Sequence, residues 1–280
     1  MGWSVLRNSP VYFSPRHIII FIMNGYSLLL GVGASLGLLQ VLRRVPESQS
    51  LRWTGAGLGI LAAALAGARA AYVWLFPAYY QAHPEAAWQI SQGGLAWPGA
   101  LLGGMIVFVF AALLLHAPLG YVADVYAPLF TTMAIVSWLG AAFTGSAYGA
   151  EVNEVLPWAL PSTQPDGILT YRWPLQLTAA LTLFYLAWRL DGRSEKWRLP
   201  DVRAAVNGLL LAGHTTLFSY WRADGGLIYN GLRVDFAATA SLAGLCLLHL
   251  LTRLVQRIRL SIITHKTERA YRQPWYFPRE

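Results

Sequence analysis

The chain has 280 residues, of which 56% are hydrophobic and only 12% charged, and its formal net charge is +8. Soluble domains carry about 25% charged residues, so this composition excludes an ordinary soluble globule and indicates an integral membrane protein. The basic residues cluster beside apolar runs, where orientation and anionic lipid headgroups account for them better than nucleic acid does.

The first twenty residues, MGWSVLRNSPVYFSPRHIII, show no small-residue cleavage site after a short apolar core, so no removable signal peptide is expected. Leu6 also departs from the myristoylation pattern. Seven apolar segments follow, at about 18–41, 54–76, 97–116, 124–145, 174–190, 204–221 and 235–255. Most approach the roughly 20 residues a helix needs to cross the hydrocarbon. The fifth and sixth are short, and the sixth, AAVNGLLLAGHTTLFSYW, is the most polar. The predicted fold is all-α and membrane-integral: a seven-transmembrane-helix bundle over residues 1–263, followed by a basic cytoplasmic tail at 264–280.

Arginine and lysine set the orientation. Arg43, Arg44 and Arg52 follow the first span. Arg189, Arg193, Lys196, Arg198 and Arg203 lie between spans five and six, and Arg253, Arg257, Arg259, Lys266, Arg269, Arg272 and Arg279 close the chain. The other side has Arg7, Arg16, Arg172, Arg222 and Arg233. The positive-inside rule then predicts an outer N-terminus and a cytoplasmic C-terminus.

Both long connections, 77–96 and 146–173, fall on the outer side. The first is rich in aromatics and suits a short interfacial helix. The second carries Trp158 and Trp173, whose place is near the headgroups. The first loop ends in QGGLAWPGALLGG, residues 92–104, where Gly93, Gly94, Gly99, Gly103 and Gly104 surround Pro98 at the start of a span. Small residues of this kind let membrane helices approach closely.

Ionisable residues inside spans are costly and therefore informative. Arg69 sits well inside span two, His214 lies mid-span in the sixth segment, and His249 comes late in the seventh. Arg172, Arg222, Asp224, Arg233 and Asp235 gather near the outer boundary. A buried guanidinium needs acceptors, so Arg69 points either to a phospholipid headgroup or to a structural ion pair. His214 is either a reactive group or a hydrogen-bond partner of a neighbouring helix. Glu151 and Glu154, in the outer loop, are expected to be solvated. The single cysteine, Cys246, permits neither an internal disulfide nor a cysteine metal site. No phosphate loop, nucleophile elbow or zinc-protease helix occurs, and no inverted repeat suggests a transporter.

Four stretches together resemble the bacterial prolipoprotein diacylglyceryl transferase family. GARAAYVWLFPAYYQAHPEAAWQISQGGLAWPGALLGG resembles the family's G-x-R-x-x-Y segment, its outer loop and its Q-G-G-L-S-F-H-G-G-L-L-G turn. APLFTTMAIVSWLGAAFTGSAYGAEVNEVLPWAL resembles the stretch with G-R-x-G-N-F-x-N-G-E-x-Y-G and a following L-P-W. YRWPLQLTAA resembles R-H-P-S-Q-L-Y-E-A, and LFSYWRAD resembles the end of R-F-x-x-E-F-x-R-x-D.

The resemblance implies a seven-span bacterial inner-membrane enzyme, without cofactor or metal. Such an enzyme moves a diacylglyceryl group from phosphatidylglycerol to the lipobox cysteine of a prolipoprotein. That chemistry needs an activated thiol and cations around the departing glycerol phosphate. Matching positions include Tyr26, Gly67, Arg69, Tyr72, Gly93, Gly94, Gly99, Gly145, Tyr148, Gly149, Arg172, Pro174, Gln176, Arg222 and Asp224. Among these the resemblance implies lipid-phosphate contacts at Arg69, Arg172, Tyr72 and Gln176, and structural turns at Gly93, Gly94, Gly99, Gly145 and Gly149.

Other motif positions are replaced. The family histidine aligns with Pro98 and the motif arginine with Trp138. The two asparagines align with Ala141 and Thr144, and the glutamate with Ser146. In YRWPLQLTAA the polar positions hold Trp173, Leu175, Thr178 and Ala179; in the sixth span they hold Thr215 and Ser219. Two expectations follow. A divergent working transferase would have to use His214 or Tyr148 as its relay. A catalytically silent relative would keep the bundle and bind phospholipid or lipoprotein, or serve as a subunit of a larger membrane complex.

Overall fold

The computed structural model describes residues 15–90, 93–152, 156–163, 169–191, 201–226, 228–229 and 231–271. Glu154, Arg7 and the basic residues Arg193, Lys196 and Arg198 lie outside them. The described chain is mostly helical, with helices α1 (Pro15–Leu42), α2 (Ser50–Leu75), α3 (Pro77–Ala82), α4 (Trp97–Leu114), α5 (Leu119–Thr144), α6 (Leu175–Asp191), α7 (Val202–Tyr220) and α8 (Val234–Tyr271). Five of them, α1, α2, α4, α5 and α8, are long and apolar enough to cross a membrane. Seven such spans were expected. Helix α6 has 17 residues, about 25 Å at the helical rise, and α7 is lowered in hydropathy by Asn207, His214 and its threonines. Nor is the chain purely helical. Strands β1 (Glu151–Val152), β2 (Leu160–Thr163) and β3 (Leu169–Arg172) form an antiparallel sheet in the order β1-β3-β2. Strands β4 (Ile228–Tyr229) and β5 (Leu232–Arg233) form a hairpin. Helix α8 runs without a break past Thr264, where the polar tail was expected to begin.

Glycine-rich α2 stays helical because a backbone in hydrocarbon must satisfy its own hydrogen bonds. Its glycines are used instead for packing. A Cβ on Gly67 would collide with the Gly99 carbonyl and lie 3.0 Å from the Gly103 Cα. A Cβ on Gly103 would collide with the Ala63 carbonyl. Helices α2 and α4 therefore touch backbone to backbone. Pro98 falls in the first turn of α4, where its missing N–H has no helical partner to lose.

Pro128 lies inside α5 and cannot donate to the carbonyl four residues back, that of Asp124. Arg44 fills the vacancy: its Nη1 donates to the Asp124 carbonyl at 3.1 Å, while Nη2 holds Asp191 at 2.7 Å. The Asp124 carboxylate in turn accepts the backbone N–H groups of Asp201 (2.8 Å) and Ala204 (2.6 Å) at the start of α7. Arg253 of α8 pairs with Asp201. These contacts tie the α1, α6 and α8 sides and the starts of α5 and α7 into one polar layer. The opposite helix ends form a second layer, in which Ala96 N bonds Ala68 O beside the start of α4, and the turn after α5 bonds Gln176 of α6 and Asp224 after α7. Between the layers lie two apolar clusters. One gathers Leu38, Trp53, Ile60, Phe108, Tyr126 and Leu129; the other gathers Trp138, Leu175, Ala179, Leu183 and Phe218.

Candidate functional site

The second polar layer holds almost every residue singled out from the sequence. Arg69, near the end of α2 and 7% exposed, has five N–H donors, and all five are engaged. Nε donates to Ala87 O (2.9 Å), Nη1 to Gly93 O (2.5 Å) and Gly94 O (3.0 Å), and Nη2 to Ala86 O (2.5 Å) and Gln89 O (3.3 Å). The guanidinium thus serves as the inner mould for residues 86–89 and 93–94. The loop closes around it because Gly93 and Gly94 take φ of +82° and +76°, a region open to glycine at little cost. Gly94 also needs its missing side chain: a Cβ would stand 2.7 Å from Arg69 Nη1 and from Tyr72 Cε1. Tyr72 packs on Phe76 (4.7 Å between centroids) and edge-on to Tyr80, whose ring lies 5.4 Å from the Arg69 Cζ.

The turn after α5 carries Tyr148. Gly145 ends the helix in the left-handed conformation, and Ser146 N returns to Ala141 O at 3.0 Å. Gln176, 5% exposed, donates from Nε2 to Ser146 O at 2.8 Å. Gly149 lies so close to Trp173 that a Cβ would be 2.9 Å from its carbonyl oxygen. Strand pairing sets Glu151 opposite Arg172. Arg172 Nη2 donates to Glu151 Oε1 at 2.6 Å, and its Cζ stands 4.2 Å over the Tyr148 ring. Arg172 is 9% exposed, and its Nε is buried without a partner.

The same turn is held from below by a network of four charges. Arg222 forks onto Asp224 through Nε (2.9 Å) and Nη2 (2.6 Å) and reaches Asp235 through Nη1 (2.8 Å). Arg233 bonds the Asp224 carbonyl (2.9 Å) and Asp235 Oδ1 (3.2 Å). Asp224 Oδ2 accepts Ala147 N, and Ala223 N donates to Tyr148 O at 2.9 Å. Burial raises the Asp224 pKa, but the Arg222 hydrogen bonds and the charges of Arg222 and Arg233 outweigh it, so the net shift is downward.

His214 stands apart, in the seam between α6 and α7. Its ring stacks on Phe218 at 4.4 Å and its Nε2 meets Thr182 Oγ1 at 2.9 Å. Thr182 spends its own proton on Thr178 O (2.7 Å), so Nε2 is the donor and Nδ1 is left as a bare, buried lone pair. Tyr148 and His214 share no contact among those described. Of the motif positions that lost their polar groups, Trp138, Leu175, Ala179 and Ser219 are buried, whereas Thr144, Ser146 and Trp173 are exposed. Trp138 is 7% exposed and packs edge-on against Phe218. Ala179 and Leu175 are buried, and Ser219 is buried with its Oγ unpartnered. Thr144 and Ser146 bond each other at 2.8 Å.

Sequence reasoning missed Glu151 as a structural partner, because its pairing depends on the register of β1 with β3. It also missed the carbonyl cage around Arg69, whose acceptors are backbone atoms 17 to 25 residues away.

A sequence profile of the family described as "Prolipoprotein diacylglyceryl transferase" matches residues 16–254. The chain is similar to proteins named "Phosphatidylglycerol--prolipoprotein diacylglyceryl transferase" from several bacteria. The one from Thermosynechococcus vestitus is 31% identical over 222 residues, 75% of this chain and 77% of the relative. The one from Paracidovorax citrulli is 34% identical over 152 residues, 53% and 55% of the two chains. The match thus spans about half the length of the Paracidovorax relative, and likewise 54% of that from Verminephrobacter eiseniae. Five apolar helices and a profile match across most of its length make this a multi-pass membrane protein, and the chain belongs to the prolipoprotein diacylglyceryl transferase family.

Proposed function

We propose that this chain is a phospholipid-binding member of the family that has lost the transfer step. The observation that carries the reading is Trp138. Where the family motif calls for an arginine, this chain has a tryptophan 7% exposed, packed on Phe218 inside an apolar cluster. A group that stabilises developing charge is typically worth about 2.7–4 kcal/mol in a transition state. Here several such groups are replaced together, at Pro98, Trp138, Ala141, Ser146 and Ser219.

Phospholipid binding rests on the cations of the second polar layer. Arg69 is saturated by carbonyls, and Arg222 and Arg233 are matched by Asp224 and Asp235. Arg172 keeps a buried N–H without an acceptor, so it is the headgroup contact, with Tyr148 beneath it. Gln176 shapes the same turn through Ser146, while Arg69 and Tyr72 position the loop that precedes α4. The relatives' name supplies the lipid class, a phosphatidylglycerol-like anionic phospholipid, and the polypeptide partner, a prolipoprotein. Membership in a larger membrane complex is a further reading for the same surface.

The chain is placed in the bacterial plasma membrane with all seven long helices crossing. Support comes from the alternation of helix ends between two polar layers, which includes α6 and α7. The charge asymmetry of the sequence then puts the Arg69–Arg172 layer outside and the Arg44–Asp201 layer inside. A second reading, transfer by this chain itself, is favoured by the Arg172–Tyr148 stack, with Tyr148 or His214 as the relay. Expression in a bacterium depleted of its own transferase separates the two. Absence of rescue, with the protein present in the membrane, supports the silent reading; restored lipidation of a reporter precursor supports transfer.

A further inference from the structure

The Arg172–Glu151 pair is unequal. The Arg172 side chain is 10% exposed and that of Glu151 is 47% exposed. The arginine is fixed on one side by the Tyr148 ring at 4.2 Å and along its backbone by β1 and β2, which flank β3. The carboxylate is the solvent-facing member of the pair.

The hydrogen bonding of the Arg172 edge is also half-complete. Nε and Nη2 form one edge of a guanidinium, the edge that grips two oxygens of a carboxylate or phosphate at once. Glu151 Oε1 takes Nη2 at 2.6 Å, while Nε on the same edge is buried with no partner. A tetrahedral phosphate carries enough oxygens to meet both donors.

We propose that the Glu151 carboxylate holds the place of an anionic phosphate group on Arg172, and that ligand binding displaces Glu151 into solvent. The incoming phosphate takes both Nε and Nη2, and the charge balance of the buried arginine is kept throughout. Glu151 then sets affinity: it protects Arg172 from weak or neutral ligands and yields only to an anion that fills the whole edge. This inference rests on Arg172 as the headgroup contact.

The test uses wild type, Glu151→Gln and Arg172→Gln, purified in detergent and stripped of lipid. Each is incubated with dioleoyl phosphatidylglycerol, with dioleoylglycerol lacking phosphate, or with inorganic phosphate, and bound ligand is counted by native mass spectrometry. Glu151→Gln is expected to retain roughly two- to fivefold more phosphatidylglycerol than wild type, the size of a half-exposed ion pair, with no gain for dioleoylglycerol. A gain confined to phosphatidylglycerol assigns the lipid headgroup as the ligand; a gain shared with inorganic phosphate assigns the phosphate group itself, and both support displacement. Equal or weaker binding by Glu151→Gln, with binding lost in Arg172→Gln, overturns the displacement and leaves the headgroup contact standing. Undiminished binding by Arg172→Gln removes the headgroup contact and the displacement with it. If Arg172→Gln does not fold, Arg172→Lys, which keeps the charge without the fork, gives the same comparison.

Discussion

Trp138 meets Phe218 edge-on, their ring centroids 5.9 Å apart and their planes at 60°. The pair joins α5 to α7 within the apolar cluster that also holds Leu175, Ala179 and Leu183. An arginine at 138 would face those side chains with a charge and nothing to compensate it. Trp138→Arg is expected to cost about 3–5 kcal/mol and to leave transfer activity absent, whereas Trp138→Phe keeps the packing and costs less. Thermal unfolding in detergent, read beside a lipidation assay, distinguishes the two variants.

Arg69 organises a loop, so its removal is expected to loosen that loop first. In Arg69→Ala five carbonyls lose their donor, and the loss is expected to exceed about 3 kcal/mol. Hydrogen exchange should accelerate across 84–95 before the helices show any change. Arg69→Lys supplies three donors on a single nitrogen and cannot reproduce the fork, so an intermediate exchange rate is predicted.

Two glycines separate steric from conformational constraint. Gly67→Ala forces a methyl into the Gly99 carbonyl and must part α2 from α4, at about 1–3 kcal/mol. Gly93→Ala meets nothing within 4 Å but sits at φ +82°, which costs an L-residue about 1–2 kcal/mol. Melting temperatures should fall in both. Cross-linking between cysteines placed on α2 and α4 should weaken only in the first.

The outer ion network predicts an acid limb. The Asp224 pKa is lowered from 3.8 on folding. A depressed carboxylate contributes stability that is present above its unfolded value and is lost as pH falls through the folded one. Wild type should therefore lose stability below about pH 4. Asp224→Asn should be less stable at neutral pH by about 1.5–3 kcal/mol and show a flatter acid limb in unfolding followed across pH.

Much of this architecture was legible in the chain. The apolar runs at 54–76, 97–116 and 124–145 fall on α2, α4 and α5 within a few residues, because hydrocarbon demands unbroken apolar helix. The family resemblance was legible too, since Gly67, Arg69, Gly93 and Gly94 stand at fixed spacing. Less legible was what these residues do. Arg69 reads as an anion contact until the loop it closes is seen, since carbonyl acceptors carry no side-chain signal. Glu151 reads as a solvated loop residue until β1 pairs with β3. Hydropathy alone also left α6 and α7 ambiguous: α6 is short, and α7 spends part of its length on Asn207, on His214, which meets Thr182 of α6, and on Thr216, which bonds Thr239 of α8.

The most direct test of the central claim is a transfer assay on the purified protein in phosphatidylglycerol nanodiscs with a lipobox peptide. The readout is glycerol phosphate released together with the mass of the peptide. The account predicts phosphatidylglycerol retained on the protein, no glycerol phosphate above the protein-free control and an unmodified peptide. Release of glycerol phosphate in step with a diacylglyceryl mass on the peptide cysteine would contradict it.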